Sequence, residues 1–255
     1  MQPGGEARLD PMLTHVLWDW NGTLLDDLDL VLDAMNLLLA AKGLAPLDRV
    51  RHRTTFGFPV RDYYTRLGLG PEHGSFEEWV AVFLDHYDRR VNDAPVRPQG
   101  RAILARLRAR GLSQVMLSAS YTDRLRELIA LQDLADYFDD LVGLDDYHAH
   151  GKLDAARAWL ARTGHDPRGL LMVGDTVHDY EVASGIGAAC VLVADGHQDE
   201  ASLRQCGCAV ITTLDDLYTA DTPIRDLLAA GPETEPGSGP IDPPRSGPGR
   251  IPSKR

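Results

Sequence analysis

The chain has 255 residues, with 38 acidic against 26 basic side chains and a formal net charge of -12. That balance excludes a nucleic-acid surface, which needs a basic stripe, and adhesion to an anionic membrane. A hydrophobic share of 44% over this length is enough to bury a core without disulfides or a structural metal.

Residues 1–12 read as a loose N-terminus without the apolar core of a secretory signal. The first apolar run, His15–Trp18, predicts a strand. Residues 26–93 then show helical patterns and no strand, at Leu28–Ala41, Arg61–Leu67 and Phe76–Val91. This is an all-helical insert, a cap or lid of the kind that excludes water and selects substrates. Further apolar runs follow at Gln114–Leu117, Leu141–Gly143, Leu170–Val173, Cys190–Val193 and Ala209–Thr212. Helical stretches alternate with them at Gly100–Arg110, Thr122–Gln132, Lys152–Arg162 and His178–Ser184. Strands apolar on both faces, separated by amphipathic helices, predict an α/β fold with a doubly wound parallel sheet. The expected core is therefore residues 13–25 and 94–220, with 26–93 as the cap. Residues 221–255 end in a tail where 15 of the last 25 residues are Pro, Gly or Ser, a composition that cannot bury enough surface to fold.

Cys190, Cys206 and Cys208 are too few and too poorly spaced for a disulfide scaffold or a metal site. With no stretch near the roughly 20 apolar residues of a membrane span, the expected location is the cytoplasm, with reduced thiols.

In a parallel α/β sheet, ligands bind outside the carboxyl ends of the strands. Three apolar runs end there in polar residues: Asp19, Ser118 and Asp175. Lysine adds a further signal. Only Lys42, Lys152 and Lys254 occur among 26 basic residues, so arginine is used almost wherever a cation suffices. Lys152 nonetheless opens a helix between two of these strands.

The segment Trp18-Asp19-Trp20-Asn21-Gly22-Thr23-Leu24-Leu25 resembles the first motif of the haloacid dehalogenase superfamily, whose phosphatases read D-x-D-G-T. Ser118 is similar to its second motif, Lys152 to its third, and Val173-Gly174-Asp175-Thr176-Val177-His178-Asp179 to its fourth. Pro98-Gln99-Gly100 and Ala183-Ser184-Gly185-Ile186-Gly187 resemble the phosphoglycolate-phosphatase-like branch, and the likeness spans about residues 13–218. It implies an Mg²⁺-dependent phosphatase acting on a small phosphorylated metabolite. Asp19 would be the nucleophile, forming an aspartyl phosphate. Asp19, the Asn21 carbonyl, Asp175 and Asp179 would hold Mg²⁺, a hard cation that selects oxygen. Ser118, Lys152 and Thr23 would meet the phosphate. Lys152 presents a compact ammonium rather than a planar fork. As a helix-start residue, Asp179 also has the simpler reading of a partner for the helix dipole.

Asn21 departs from the family pattern. The phosphatases carry there an Asp that protonates the leaving oxygen, and an amide cannot shuttle that proton. General acid–base help is typically worth about 10²–10⁴-fold. The readings are a phosphatase or phosphotransferase with a good leaving group or a borrowed acid such as Asp26, a slow enzyme with a persistent phosphoenzyme, and a catalytically impaired phospho-ligand-binding protein. The retained nucleophile, lysine and metal acids favour the first two. Arg53, in a stretch Arg53–Pro59 resembling a cap specificity loop, and Arg61 are candidates for an anionic substrate group, or equally for a solvated helix face. Lys42 reads as a helix terminus, and His148 and His150 as loop residues.

Overall fold

The computed structural model describes residues 13–144 and 151–225. Chain order is β1 (His15–Trp18), α1 (Leu28–Ala41), α2 (Arg49–Thr55), α3 (Val60–Arg66), α4 (Phe76–Arg90), α5 (Pro98–Ala109), β2 (Ser113–Tyr121), α6 (Thr122–Leu131), β3 (Asp140–Leu144), α7 (Lys152–Thr163), β4 (Leu170–Gly174), α8 (Val177–Ile186), β5 (Ala189–Val193) and β6 (Ala209–Ile211), with short turns of helix between them. The strands form one parallel sheet in the order β3-β2-β1-β4-β5-β6.

Period-two alternation explains the layers. Val16 and Trp18 of β1 face one helical layer with Leu171 and Val173 of β4. Leu17 faces the other, with Leu170, Met172 and the α7 residue Trp159. Both faces are buried, so β4 and β1 after its first residue, His15, are apolar, as parallel strands under two helical layers must be. The indole of Trp18 donates to Gln114 Oε1 at 3.1 Å, and Gln114 Nε2 donates to the Leu104 carbonyl at 2.9 Å, so this buried polar pair is satisfied.

The helices α1–α4 enclose a separate apolar cluster, with Leu28, Leu32, Met35, Leu38 and Leu39 of α1 against Tyr63, Tyr64 and Trp79. The i, i+4, i+7 spacing of the α1 residues produced that stripe. Helix α2 was not expected, because Arg-Val-Arg-His-Arg-Thr-Thr has no apolar stripe. It is fixed instead by Asp48, whose side chain accepts from the Arg51 amide at 2.7 Å, and by the buried His52. Arg53–Thr55 thus belong to a helix rather than to a loop.

Strand β2 runs past the expected Leu117 to Tyr121, with a register shift against β3. Packing also continues beyond residue 220, because Thr222 and Ile224 are buried against the core. The three cysteines are free and partly buried. The expected loose N-terminus, most of the Pro/Gly-rich tail, Lys254, His148 and His150 lie outside the described residues.

Candidate active site

The chain builds β1, β2 and β3 outward in one direction, then returns to place β4 on the other side of β1. The β1–β4 boundary is the topological switch point, and the loops leaving these strands open a crevice there. Asp19 follows β1, its amide donating to the Val173 carbonyl at 2.9 Å. Asp175 follows β4. Asp179 sits in the first turn of α8, and Lys152 opens α7.

These four side chains converge. Lys152 Nζ donates to Asp179 Oδ1 at 2.5 Å and makes a shorter contact to Asp19 Oδ1. Oxygens of Asp19, Asp175 and Asp179 all lie within 4.8 Å of one another. Lys152 is 2% exposed and Asp175 is fully buried, so water does little to screen the group. Three carboxylates face one ammonium. Burial alone would lower the Lys152 pKa, but Asp179 and Asp19 outweigh it and keep the ammonium charged. Burial pushes Asp19 well above the usual carboxylate range; Lys152 opposes this, and Asp179 and Asp175 add to it. The deficit is one of positive charge, in an all-oxygen donor set. That fits a hard divalent cation such as Mg²⁺.

Backbone shape makes the convergence possible. Gly22 has φ +77°, and a Cβ there would collide with the Asp175 carboxylate. A Cβ on Gly174 would likewise strike Asp179. Asp179 takes the helix-start role its sequence position allowed and also reaches into the cluster. Its Oδ1 holds Lys152, while its Oδ2 accepts from Thr176 Oγ1 at 2.7 Å and the Thr176 amide at 3.0 Å in a capping box.

Ser118 is buried and lines the cavity above the cluster, its hydroxyl accepting from the Ser120 amide at 3.1 Å. Thr23 does not reach the cavity. Its hydroxyl donates to Asp175 Oδ1 at 2.9 Å, so it positions a carboxylate. Arg53 and Arg61 stand apart from the cavity, and Arg61 takes the alternative reading of a solvated helix face, its side chain 58% exposed. Arg53 donates to the carbonyls of Gly196 at 2.9 Å and Asp195 at 2.8 Å. Arg61 pairs with Glu77 at 3.2 Å and covers the Phe76 ring. Neither lines the cavity, because each guanidinium already has local partners. Asp26 is half exposed, faces Arg97 at 3.7 Å and does not line the cavity.

Asn21 is held by a buried network that its sequence neighbourhood does not announce. Its Nδ2 donates to Asp27 Oδ2 at 2.8 Å and to the Tyr87 hydroxyl at 2.7 Å. Tyr87 donates its own proton to Asp27 at 2.6 Å. Asp27 also accepts from the Gly22 amide at 3.0 Å and pairs with His197 Nε2 at 3.1 Å. His197 Nδ1 then meets His52 Nε2 of the cap at 3.1 Å. Burial would raise the Asp27 pKa, but His197, Tyr87 and Asn21 hold it below its usual value. Burial would lower His197, yet Asp27 lifts it to about 9. Burial, reinforced by His197, drives His52 down to about 3. One imidazolium and one neutral imidazole therefore bridge cap and core.

A model of the haloacid dehalogenase-like hydrolase family matches residues 16–193. The chain belongs to this family. This hydrolase is 31% identical to the phosphoglycolate phosphatase of Rhodospirillum rubrum over 231 residues, which is 85% of this chain and 95% of that protein. Among solved structures, a haloacid dehalogenase-like hydrolase of Streptococcus pneumoniae superposes with a TM-score of 0.70 at 20% identity, over 84% of this chain and 97% of that one. Protein tyrosine kinase A of Mycobacterium tuberculosis shares the fold with a TM-score of 0.69 at 21% identity, over 82% of this chain and 97% of that one. The expected fold class, hydrolase activity and family are thereby established. Among the described residues no helix is long and apolar enough to cross a membrane.

Proposed function

We propose that this hydrolase cleaves a phosphate monoester of a small metabolite through an aspartyl phosphate on Asp19, with Mg²⁺ held by Asp19, the Asn21 carbonyl and Asp175, and Asp179 beside them. The supporting observation is the buried cluster of three carboxylates and one lysine at the switch point. The curated relative named phosphoglycolate phosphatase supports the same chemistry. Bound Mg²⁺ would supply the positive charge that lets one anion approach another. Lys152 orients the Asp19 carboxylate and offers its ammonium to a phosphate oxygen, and Ser118 stands ready to donate a hydrogen bond from the cavity wall. The Asp19 oxygen bonds to phosphorus as the ester oxygen departs. Water then releases phosphate and restores the carboxylate.

Mg²⁺-dependent phosphate release from an aryl phosphate, with capture of phosphate on Asp19, tests this reading. Complete inactivity with no trapped phosphoenzyme would transfer the protein to the phospho-ligand-binding class. Metal binding has its own signature. Mg²⁺ at a hundred times its dissociation constant should stabilise the fold by about 2.7 kcal/mol, a rise of several degrees in Tm. A chelator should reverse it, and Asp175→Asn should abolish it; a Tm indifferent to Mg²⁺ would refute the metal assignment.

Asn21→Asp would place a carboxylate where the amide now donates to Asp27 at 2.8 Å. Two carboxylates that close share a proton, so one pKa rises. The variant should gain a proton donor at the leaving oxygen, with alkyl phosphate turnover rising by about tenfold or more. A fall in turnover, measured as kcat/KM against pH, would show that the amide serves another step.

A further inference from the structure

Above the carboxylate cluster lies a cavity of about 480 Å³, large for a two-carbon acid and in the range of ligands with a ring system. Aromatic side chains of the cap form much of its wall, including Phe56, Phe58, Tyr63, Phe83 and Tyr87. Phe83 and Tyr87 stack at 5.5 Å with their planes 17° apart, and Phe56 meets Phe58 edge to face at 5.7 Å. Such walls offer ring faces and edges to an aromatic guest.

The permanent cations lining the cavity, Lys152 and Arg124, are already matched. Lys152 holds Asp19 and Asp179, and Arg124 donates to Glu127 at 2.9 Å and to Asn92 Oδ1 at 2.9 Å. His197 commits one ring nitrogen to Asp27 and the other to His52. Asp27 and Asp88 also face the space. A second carboxylate on the substrate would therefore be desolvated against rings and like charges.

The Asn21 network carries an independent argument. Asn21 has no acidic proton, its Nδ2 is turned to Asp27 and to the Tyr87 hydroxyl, and the Tyr87 proton is directed to Asp27. The polar hydrogens around Asn21, those of His197 included, are thus turned to Asp27 and His52 rather than toward a departing oxygen. A phenol, with a pKa near 10, departs as its anion without help. An aliphatic alcohol, about as weakly acidic as water, does not.

We propose that the substrate is the phosphate ester of an aromatic alcohol, seated on the cap rings, rather than a small phosphorylated hydroxy acid. The proposal rests on the phosphatase reading above. The Asp19 oxygen forms the bond to phosphorus as the phosphorus–phenol oxygen bond breaks. The electron pair leaves on the phenoxide, which takes a proton from solvent. Water then cleaves the acyl phosphate, releasing phosphate and the proton that balances it.

The test is kcat/KM of the full chain with Mg²⁺ on substituted phenyl phosphates, acetyl phosphate and phosphoglycolate. Phenyl phosphates should exceed phosphoglycolate by roughly a hundredfold or more, and their kcat/KM should fall steeply as the phenol becomes a weaker acid. Their KM should lie about tenfold below that of acetyl phosphate, which leaves easily but carries no ring, since one aromatic contact is worth about that factor. Phe83→Ala should erase much of this difference. Phe58→Ala, at a side chain 40% exposed and so safe for folding, should act in the same direction. Preference for phosphoglycolate, no KM advantage over acetyl phosphate, or indifference to both variants would overturn the proposal and leave the phosphatase reading standing. Inactivity toward every ester, with nothing trapped on Asp19, would remove both.

Discussion

Asp19→Asn should lower kcat by on the order of a thousandfold or more, without loss of stability. The kinetic half follows from chemistry, because a carboxamide cannot form the acyl phosphate on which the proposed cycle depends. The stability half follows from the surroundings. Burial and the neighbouring Asp179 and Asp175 hold the Asp19 pKa above its ordinary value, despite Lys152. A carboxyl raised in this way binds its proton more tightly folded than unfolded, so ionising it at neutral pH weakens the fold. The amide removes that penalty, and Lys152 keeps Asp179 as its partner at 2.5 Å. The metal-free variant should melt at or above the wild-type temperature while turnover and phosphate capture vanish. Retained turnover would refute the nucleophile assignment. A lower Tm would show that the Lys152 contact outweighs the repulsion.

Lys152→Met should do the reverse to stability and the same to turnover. The side chain is similar in length and apolar, so most of its volume in the buried site is kept and the charge alone is lost. Asp19 and Asp179 would then face each other and Asp175 in a buried site with no cation. Removing one partner of a buried ion pair typically costs about 3–5 kcal/mol. Tm should fall by several degrees in metal-free buffer, and Mg²⁺ should recover part of the fall by supplying charge to the same oxygens. Turnover, measured below the melting range, should remain depressed by a hundredfold or more. Lys152→Arg should fail as well, because the guanidinium is planar and wider than the ammonium that fits between Asp19 and Asp179. Equal Tm and equal turnover in Lys152→Met would mean that the lysine is a bystander.

Much of the site was legible because its residues sit where a one-dimensional pattern ends. Asp19 and Asp175 follow predominantly apolar runs, and Asp179 and Lys152 open helices at family spacing. Each position could be counted from a strand or a helix start. Thr23 shows the limit of that counting. Its position was right, but its hydroxyl turned toward Asp175 rather than to the cavity. Arg53 and Arg61 show it more sharply. A sequence records a cation but not which acceptor reaches it first, and here backbone carbonyls and Glu77 do.

The network around Asn21 had no such signature. Asp27 follows the first motif, His52 lies in a helix without an apolar stripe, Tyr87 in the last turn of α4, and His197 in a loop after β5. Individually they are ordinary polar residues. The alternation of strands and helices, the burial of the sheet on both faces and the position of the candidate nucleophile at the end of the first strand were determined by the sequence itself, because alternation and strand ends are local properties repeated along the chain. The anionic state of Asp27, the orientation of the Asn21 amide and the aromatic lining of the cavity were decided only by the tertiary structure. Those properties depend on which distant groups share a water-poor space, and hydrogen bonding and electrostatics there act over a few ångströms regardless of separation along the chain.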